Sequence, residues 1–446
     1  MNRHLTNAAF GVLDYAAYPL GMFLVAPIVL HKLGASEYGM WAIATAVISI
    51  GGIIASGFSD ANIQRVARLR GSGEIGVITN TVRSMLGINL VLGFVLALAA
   101  WLAAPYAAQR ISLHHVEQTW ECFISLRIAS VLILVRAVES VPVSTQRAFE
   151  EYRGTVQINV AVRLFTLASA ALLALSGRRT VSILLATAVF LVLGTILQFH
   201  ELRRFLGDVP IKPKYQREET RVLLRFGVFS WLQALGGVIF AQLDRVLLGL
   251  SLGAATVAPY VLCVQFSQPL FGLTASGLQF LFPHFSKRVV TADSASLTKT
   301  LLKAFACNLF LVLCGAGLLL LLGDRLIQAW AGVAVAQKAA TILPLVVMGA
   351  SLMGLSVTGT YALLAFGMFR TLAIFNLSNK ALMLFLMTYL LRHHGLQGLA
   401  FARVCYGFLA LLPYAPLLRK LSHGMKESHA GSSIVMPREL SGEPEL

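Results

Sequence analysis

Twelve long apolar segments, six on each side of one charged stretch, constrain what this chain can fold into. The charged stretch spans residues 201–225 and holds seven Lys/Arg and four acidic residues in 25 positions. A bilayer core about 30 Å thick needs roughly 20 apolar residues per spanning helix, and the chain is 57% hydrophobic and only 13% charged. The pattern predicts an all-α polytopic membrane protein of about twelve transmembrane helices in two six-helix lobes.

The two sets of six segments share short matches at one offset, which indicates internal duplication. Three matches recur 219 residues later: Leu33-Gly34-Ala35 as Leu252-Gly253-Ala254, Thr81 as Thr300, and Asn89-Leu90 as Asn308-Leu309. We therefore predict an N-terminal lobe over residues 1–200, a cytoplasmic basic hinge over 201–225, a C-terminal lobe over 226–418, and a disordered cytoplasmic tail over 419–446.

The positive charge of the chain is spread over loops rather than gathered in one patch. The formal net charge is +16, from 36 Lys/Arg and 20 Asp/Glu. With the N-terminus inside and twelve spans, most of the basic residues fall in cytoplasmic segments, as the positive-inside rule requires. Both termini are therefore predicted to be cytoplasmic, and nucleic acid is not an expected partner.

Motifs of soluble enzymes are missing from the sequence. It contains no Walker A loop, no HExxH and no CxxC in the required context. We expect no enzymatic activity and no cofactor. A membrane enzyme such as a glycan polymerase stays open as an alternative, with His114-His115 and Glu117 as its one cluster of outward polar residues.

Charged residues inside apolar segments are the candidate functional residues, because a charge at the bilayer centre costs about 2.5–3.5 kcal/mol even on lenient scales. The cationic candidates for substrate binding are Arg127, Arg136, Arg163, Lys380, Arg245 and Arg403. The acidic candidates for ion coupling are Asp14, Asp60, Glu139 and Asp244. Guanidinium groups match phosphate oxygens in bidentate fashion, so a cationic cavity would suit an anionic substrate such as a pyrophosphate.

Other roles stay open for several of these residues. Arg136 and Glu139 lie three apart on one helical face and can form a structural ion pair. Arg245 and Arg403 lie near the outer ends of their segments, where long side chains snorkel to the surface. Asp14 and Asp60 lie near the inner interface and can act as capping residues.

Three stretches resemble one family of membrane transporters. They are Leu33 to Trp41 (LGASEYGMW), Gly57 to Asp60 followed by Arg65-Val66-Ala67, and Asp244-Arg245 followed by Leu252-Gly253-Ala254 and Pro259-Tyr260. These stretches are similar to the turns of the polysaccharide transporter family, the Wzx-type flippases of lipid-linked oligosaccharides. That family belongs to the multidrug/oligosaccharidyl-lipid/polysaccharide exporter superfamily.

The resemblance implies two six-helix lobes around a V-shaped central cavity and transport by alternating access. The implied substrate is an undecaprenyl-pyrophosphate-linked oligosaccharide of O-antigen, capsule or exopolysaccharide, moved across the bacterial inner membrane. Membrane lipids, a polysaccharide polymerase and glycosyltransferases are the candidate partners. An ion-coupled multidrug or small-solute exporter of the same superfamily, and a lipid II flippase, are the alternatives.

Overall fold

The structure is a computed structural model that describes residues 3–72, 75–113, 116–150, 152–207, 211–278, 285 and 294–419. Some side chains within these ranges, those of residues 3–20 among them, are not described. The described residues form thirteen helices of eight residues or more and no strand. The helices are α1 (Arg3–Ala55), α2 (Ser59–Ser72), α3 (Ile75–Ile111), α4 (Val116–Ala148), α5 (Tyr152–Leu175), α6 (Thr180–Leu206), α7 (Arg217–Ala241), α8 (Leu243–Leu252), α9 (Ala254–Gly277), α10 (Ser294–Ala331), α11 (Val333–Ala340), α12 (Leu343–Ala365) and α13 (Phe369–Ala410).

These helices match the twelve predicted crossings one by one. The backbone of α1 leaves helical geometry at Gly34 and that of α13 at Gly395, so each supplies two crossings. The pair α7 and α8 covers the seventh apolar segment, predicted over residues 226–250. The helices α2 and α11, with 14 and 8 residues, are too short to span. By length and composition, seven helices among the described residues can cross a membrane. The all-α polytopic fold is confirmed.

The duplicated Leu-Gly-Ala turns have the same backbone conformation. Gly34 has φ 84° and ψ 172°, and Gly253, 219 positions later, has φ 83° and ψ 166°. Positive φ is readily accessible only to glycine because it has no Cβ atom. The two turns therefore end one helix and start the next in the same way, as internal duplication predicts.

The duplicated asparagines make equivalent contacts. Asn89 Nδ2 on α3 donates to the Ala137 carbonyl (3.0 Å) and Ser140 Oγ (2.7 Å) on α4. Asn308 Nδ2 on α10 donates to the Gly354 carbonyl (3.0 Å) and Thr358 Oγ1 (3.0 Å) on α12. Both asparagines are fully buried. Each asparagine therefore links the third crossing of its half to the fourth crossing by hydrogen bonds. These equivalent side-chain contacts confirm the duplication.

Packing divides the chain into two compact units. One contains Met1–Leu262, Asp324–Ile342 and Leu384–Leu399, and the other contains Cys263–Gly323, Leu343–Met383 and Ala400–Leu446. The first has a core cluster around Val66, Val82 and Met85, and the second has one around Leu363 and Leu417. Lobes defined by sequence duplication need not coincide with units defined by packing, so the lobe boundaries at residues 200, 226 and 418 stay a prediction.

The stretch predicted as a hinge is largely helical. The helix α6 continues to Leu206 and ends at Gly207 with φ 74°, and α7 starts at Arg217. Between them, the Lys214 amide donates to the Arg83 carbonyl at 3.3 Å. A hinge function for 201–225 stays a prediction, and the predicted disordered tail lies outside the described residues from position 420 onward.

Replacing Asn308 by alanine is expected to destabilise the protein by about 0.6–2 kcal/mol, because two buried interhelical hydrogen bonds are lost. The measurement is the midpoint of thermal unfolding of the purified protein in detergent. Asn376 is exposed on α13, so Asn376→Ala is the matched control and should leave the midpoint unchanged. Equal midpoints for the two variants would contradict the role given to Asn308.

Candidate functional site

Arg136 and Glu139 of α4 form the ion pair that their spacing predicted. Arg136 Nη1 lies 2.7 Å from Glu139 Oε2, and the Glu139 side chain is only 7% exposed against 39% for Arg136. The stem of Arg136 packs on Gly52 of α1, where an added Cβ would lie 3.1 Å from the Arg136 Cβ. Arg136 thus neutralises the charge of the buried Glu139 carboxylate, while part of the Arg136 side chain remains exposed.

Arg127 lies on the same helix but contacts a different neighbour. Its guanidinium carbon lies 4.0 Å from the centre of the Trp101 ring on α3 and 4.5 Å from that of the Phe123 ring on α4. Cation–π contacts of this kind hold the charged group in place. Arg127 Nε is buried and has no hydrogen-bond partner among the described residues. An unpaired buried N–H costs about 1–3 kcal/mol.

The other four cationic candidates are half-buried and belong to both units. Arg163 on α5 and Arg245 on α8 lie in the first unit, and Lys380 and Arg403 on α13 lie in the second. Partial burial on spanning helices makes each cation accessible to a polar ligand while keeping its stem in apolar surroundings. A substrate-binding role for all six residues stays a prediction.

The acidic candidates differ in their surroundings. Asp244 is only 1% exposed, and it accepts hydrogen bonds from Tyr260 Oη (2.7 Å) and the Arg245 amide (2.8 Å). Asp60 is exposed in the first turn of α2, where an acid stabilises the helix N-terminus. The side chain of Asp14 lies outside the described part of the structure. Coupling roles for these acids and Glu139 stay predictions.

A partly buried ion pair that the sequence did not predict links α2 and α7, with a further contact from α3. Arg65 donates from Nε to Glu219 Oε2 (3.1 Å) and from Nη2 to Glu219 Oε1 (2.7 Å). Thr81 Oγ1 donates to Glu219 Oε2 at 2.9 Å. Burial alone would raise the pKa of Glu219, but the hydrogen bonds from Arg65 and Thr81 outweigh it and hold the pKa below its usual range. Glu219 is therefore a carboxylate at neutral pH.

Metal binding has no support in the described part of the chain. No group of three or more His, Cys, Asp or Glu residues there could hold a metal ion.

Comparison with known proteins gives one family and one fold. A family model described as "Polysaccharide biosynthesis protein" matches residues 32–334, more than half of the 446 residues. No curated protein matches the chain.

Several solved structures share its fold, including the following two. The lipid II flippase MurJ, in an inward closed conformation, has a TM-score of 0.72 at 14% identity, covering 97% of this chain and 94% of that chain. A multidrug resistance MATE family transporter of the MOP superfamily, in an inward-facing conformation, has a TM-score of 0.70 at 13% identity, covering 93% of this chain and 99% of that chain. These two membrane transporters thus share the multi-pass helical fold of this chain.

Replacing Glu219 by glutamine is expected to destabilise the protein by about 1–3 kcal/mol at neutral pH, because a charge-assisted, partly buried hydrogen-bond pair is weakened. The folded-state pKa of Glu219 is lowered. Its contribution is therefore present above the unfolded pKa of about 4.3 and is lost as the pH falls through the folded pKa. Thermal unfolding of both proteins across pH measures the difference. Glu218 is exposed next to it, so Glu218→Gln is the control, and a Glu219→Gln deficit that persists at acidic pH would contradict the ion pair.

Replacing Arg136 alone is expected to destabilise the folded protein more than replacing both Arg136 and Glu139. Arg136→Gln leaves the buried Glu139 carboxylate unpaired, whereas Arg136→Gln combined with Glu139→Gln leaves no unpaired charge. We expect the single variant to unfold at a lower temperature than the double variant, with a coupling energy of about 0.5–3 kcal/mol in the double-mutant cycle. Additive effects would show that the two side chains act independently.

Proposed function

The chain belongs to the family of polysaccharide biosynthesis proteins, and we propose that it is a flippase for an undecaprenyl-pyrophosphate-linked oligosaccharide. The glycan would be a repeat unit of O-antigen, capsule or exopolysaccharide. Movement would run from the cytoplasmic to the outer leaflet of the bacterial inner membrane, by alternating access. Both termini would be cytoplasmic, and a polysaccharide polymerase and glycosyltransferases would be the neighbouring enzymes.

The observation that carries this proposal is the imbalance of charge on the spanning helices. Among the described residues of the predicted spans, the six cations outnumber the buried acids Glu139 and Asp244, which have partners in Arg136 and Tyr260. An excess of cations on apolar helices makes their surroundings favourable for an anionic ligand. A pyrophosphate with its flanking sugars supplies charge of the opposite sign and many acceptor oxygens.

Arg127 is best placed for a precise role in substrate binding. The contacts with Trp101 and Phe123 restrict its guanidinium, so little conformational entropy is lost when a ligand binds. Its partly exposed guanidinium would donate to an acceptor oxygen of the substrate. Arg163 and Lys380 would supply charge from the two halves of the chain, and Arg245 and Arg403 would do so nearer the outer ends of their helices.

An ion-coupled exporter of cationic compounds is the second candidate, because a multidrug transporter shares the fold. Extrusion of cations needs carboxylates in the spans that are free to bind them. Glu139 is held by Arg136, and Asp244 by Tyr260 and a backbone amide. These contacts favour the flippase of an anionic substrate. A lipid II flippase is a further candidate function, because the lipid II flippase MurJ shares the fold.

Alanine at Arg163 and Lys380 together is expected to lower export of surface glycan at least tenfold, because two charge-assisted contacts are each worth about 1.5–3 kcal/mol. Export is measured as surface polysaccharide in the native host, with membrane expression matched by immunoblot. Arg178→Ala is the control, since Arg178 is exposed in the loop between α5 and α6. Unchanged export in the double variant would show that these two residues do not bind the substrate.

A further inference from the structure

Five exposed cations gather where α6 ends and α7 begins. They are Arg203 in the last turn of α6, Lys212 and Lys214 in the connection, and Arg217 and Arg221 in the first two turns of α7. Between them lies Tyr215, which is 75% exposed. We name these six residues the α6–α7 basic surface.

On α6, an exposed apolar face continues into Arg203. Leu193 and Ile196 are 50% and 58% exposed, and exposed apolar side chains on a spanning helix face the acyl chains of the bilayer. Arg203 follows Ile196 by seven residues, which places it on the same face of the helix and about 10 Å further along the axis. The headgroups begin where the hydrocarbon core ends, so we expect Arg203 to lie at the level of the lipid phosphates.

On α7, the same arrangement runs in the opposite direction along the chain. Leu224 and Val228 are 39% and 42% exposed. Arg217 precedes Leu224 by seven residues. Arg221 precedes Val228 by the same interval, so each cation shares a helix face with an exposed apolar residue. Long basic side chains at the end of such a face extend to the headgroups while their stems stay on apolar surface. Both helices therefore bring cations to the level of the headgroups.

The connection between the two helices is held through its backbone. The Lys214 amide donates to the Arg83 carbonyl of α3 at 3.3 Å, while the side chains of Lys212, Lys214 and Tyr215 are exposed. Tyrosine is enriched where a membrane meets water, because its ring is apolar and its hydroxyl is polar. An exposed tyrosine between two exposed lysines, beside the ends of two spanning helices, is typical of a segment that lies on the headgroups.

The acids nearby leave the α6–α7 basic surface positively charged. Glu201 is paired with Arg204 at 2.9 Å, and Glu219 is held in the ion pair described above. Glu218 is the exposed acid among the described residues of this stretch, and Asp208 lies outside the described residues. The five cations outnumber Glu218 and Asp208 together, so the surface attracts anions.

We propose that the α6–α7 basic surface binds the headgroups of anionic phospholipids, in the leaflet on the predicted cytoplasmic side. The phosphates of these lipids have the opposite charge and lie at the depth that the exposed faces of α6 and α7 give to the cations. Clusters of basic residues next to spanning helices bind acidic lipids in this way, and each cation strengthens the binding by about fivefold. The bound lipids would fix the connection between α6 and α7 to the membrane surface. This proposal does not depend on the proposed transport function.

The test is a titration of the full-length protein in detergent with phosphatidylglycerol or phosphatidylcholine, with bound lipid counted by native mass spectrometry. We expect the parent protein to bind phosphatidylglycerol more tightly than phosphatidylcholine. Lys212→Gln combined with Lys214→Gln should weaken phosphatidylglycerol binding about tenfold or more, because two cations are lost from the surface. Binding of phosphatidylcholine should not change, since its headgroup has no net charge.

Two control variants separate this surface from the overall charge of the protein. Lys212→Arg combined with Lys214→Arg keeps both charges and should keep the parent's affinity for phosphatidylglycerol. Arg325→Gln combined with Lys338→Gln removes two exposed cations from α10 and α11 on the predicted outer side and should leave this affinity unchanged. The midpoint of thermal unfolding, expected to equal that of the parent, shows that each variant is folded.

Four results would overturn the proposal. The first three are equal affinity of the parent for the two lipids, unchanged phosphatidylglycerol binding in the Lys212→Gln, Lys214→Gln variant, and an equal loss in the Arg325→Gln, Lys338→Gln variant. The fourth is binding of inorganic pyrophosphate that depends on Lys212 and Lys214 when phosphatidylglycerol binding does not. That result would assign the surface to a free anion rather than to the bilayer.

Discussion

Burying charge in an apolar protein is the constraint on which the rest of this structure depends. A bilayer offers no water to a charged or polar group, so each one needs a partner on the protein, a ligand, or a path to the surface. Glu139 is paired with Arg136, and Asp244 accepts a hydrogen bond from Tyr260. These two buried acids therefore have partners within the protein. Arg127 is held by aromatic rings, and its Nε–H has no hydrogen-bond partner among the described residues. This difference between the acids and Arg127 is one reason why we propose an anionic substrate.

The same constraint explains how the two halves are built. Without a hydrophobic drive between helices in lipid, interhelical hydrogen bonds and close packing hold the bundle together. The duplicated pair Asn89 and Asn308 does this at the same place in each half. Gly34 and Gly253 start the following helix with the same backbone. Duplication has thus preserved the contacts that hold each half, while the charged residues outside these contacts differ between halves.

Much of the fold could be predicted from sequence because its signals are local. Long apolar segments define crossings, and a constant offset of 219 residues defines the duplication. The pair Arg136 and Glu139 was predictable because three residues place two side chains on one helical face. Arg65 and Glu219 are 154 positions apart, and no periodicity links them. The rings around Arg127 come partly from α3, a neighbour that only the folded chain supplies. One weak sequence signal for this ion pair is that Glu219 is an acidic residue within a stretch, 201–225, in which basic residues predominate.

The most direct measurement of the central claim is the leaflet distribution of lipid-linked glycan in the native host after this gene is deleted. A flippase for this substrate predicts that lipid-linked glycan accumulates on the cytoplasmic leaflet and that the surface polysaccharide disappears. Normal surface glycans, together with increased sensitivity to cationic compounds, would contradict the flippase and would indicate an exporter of small cations.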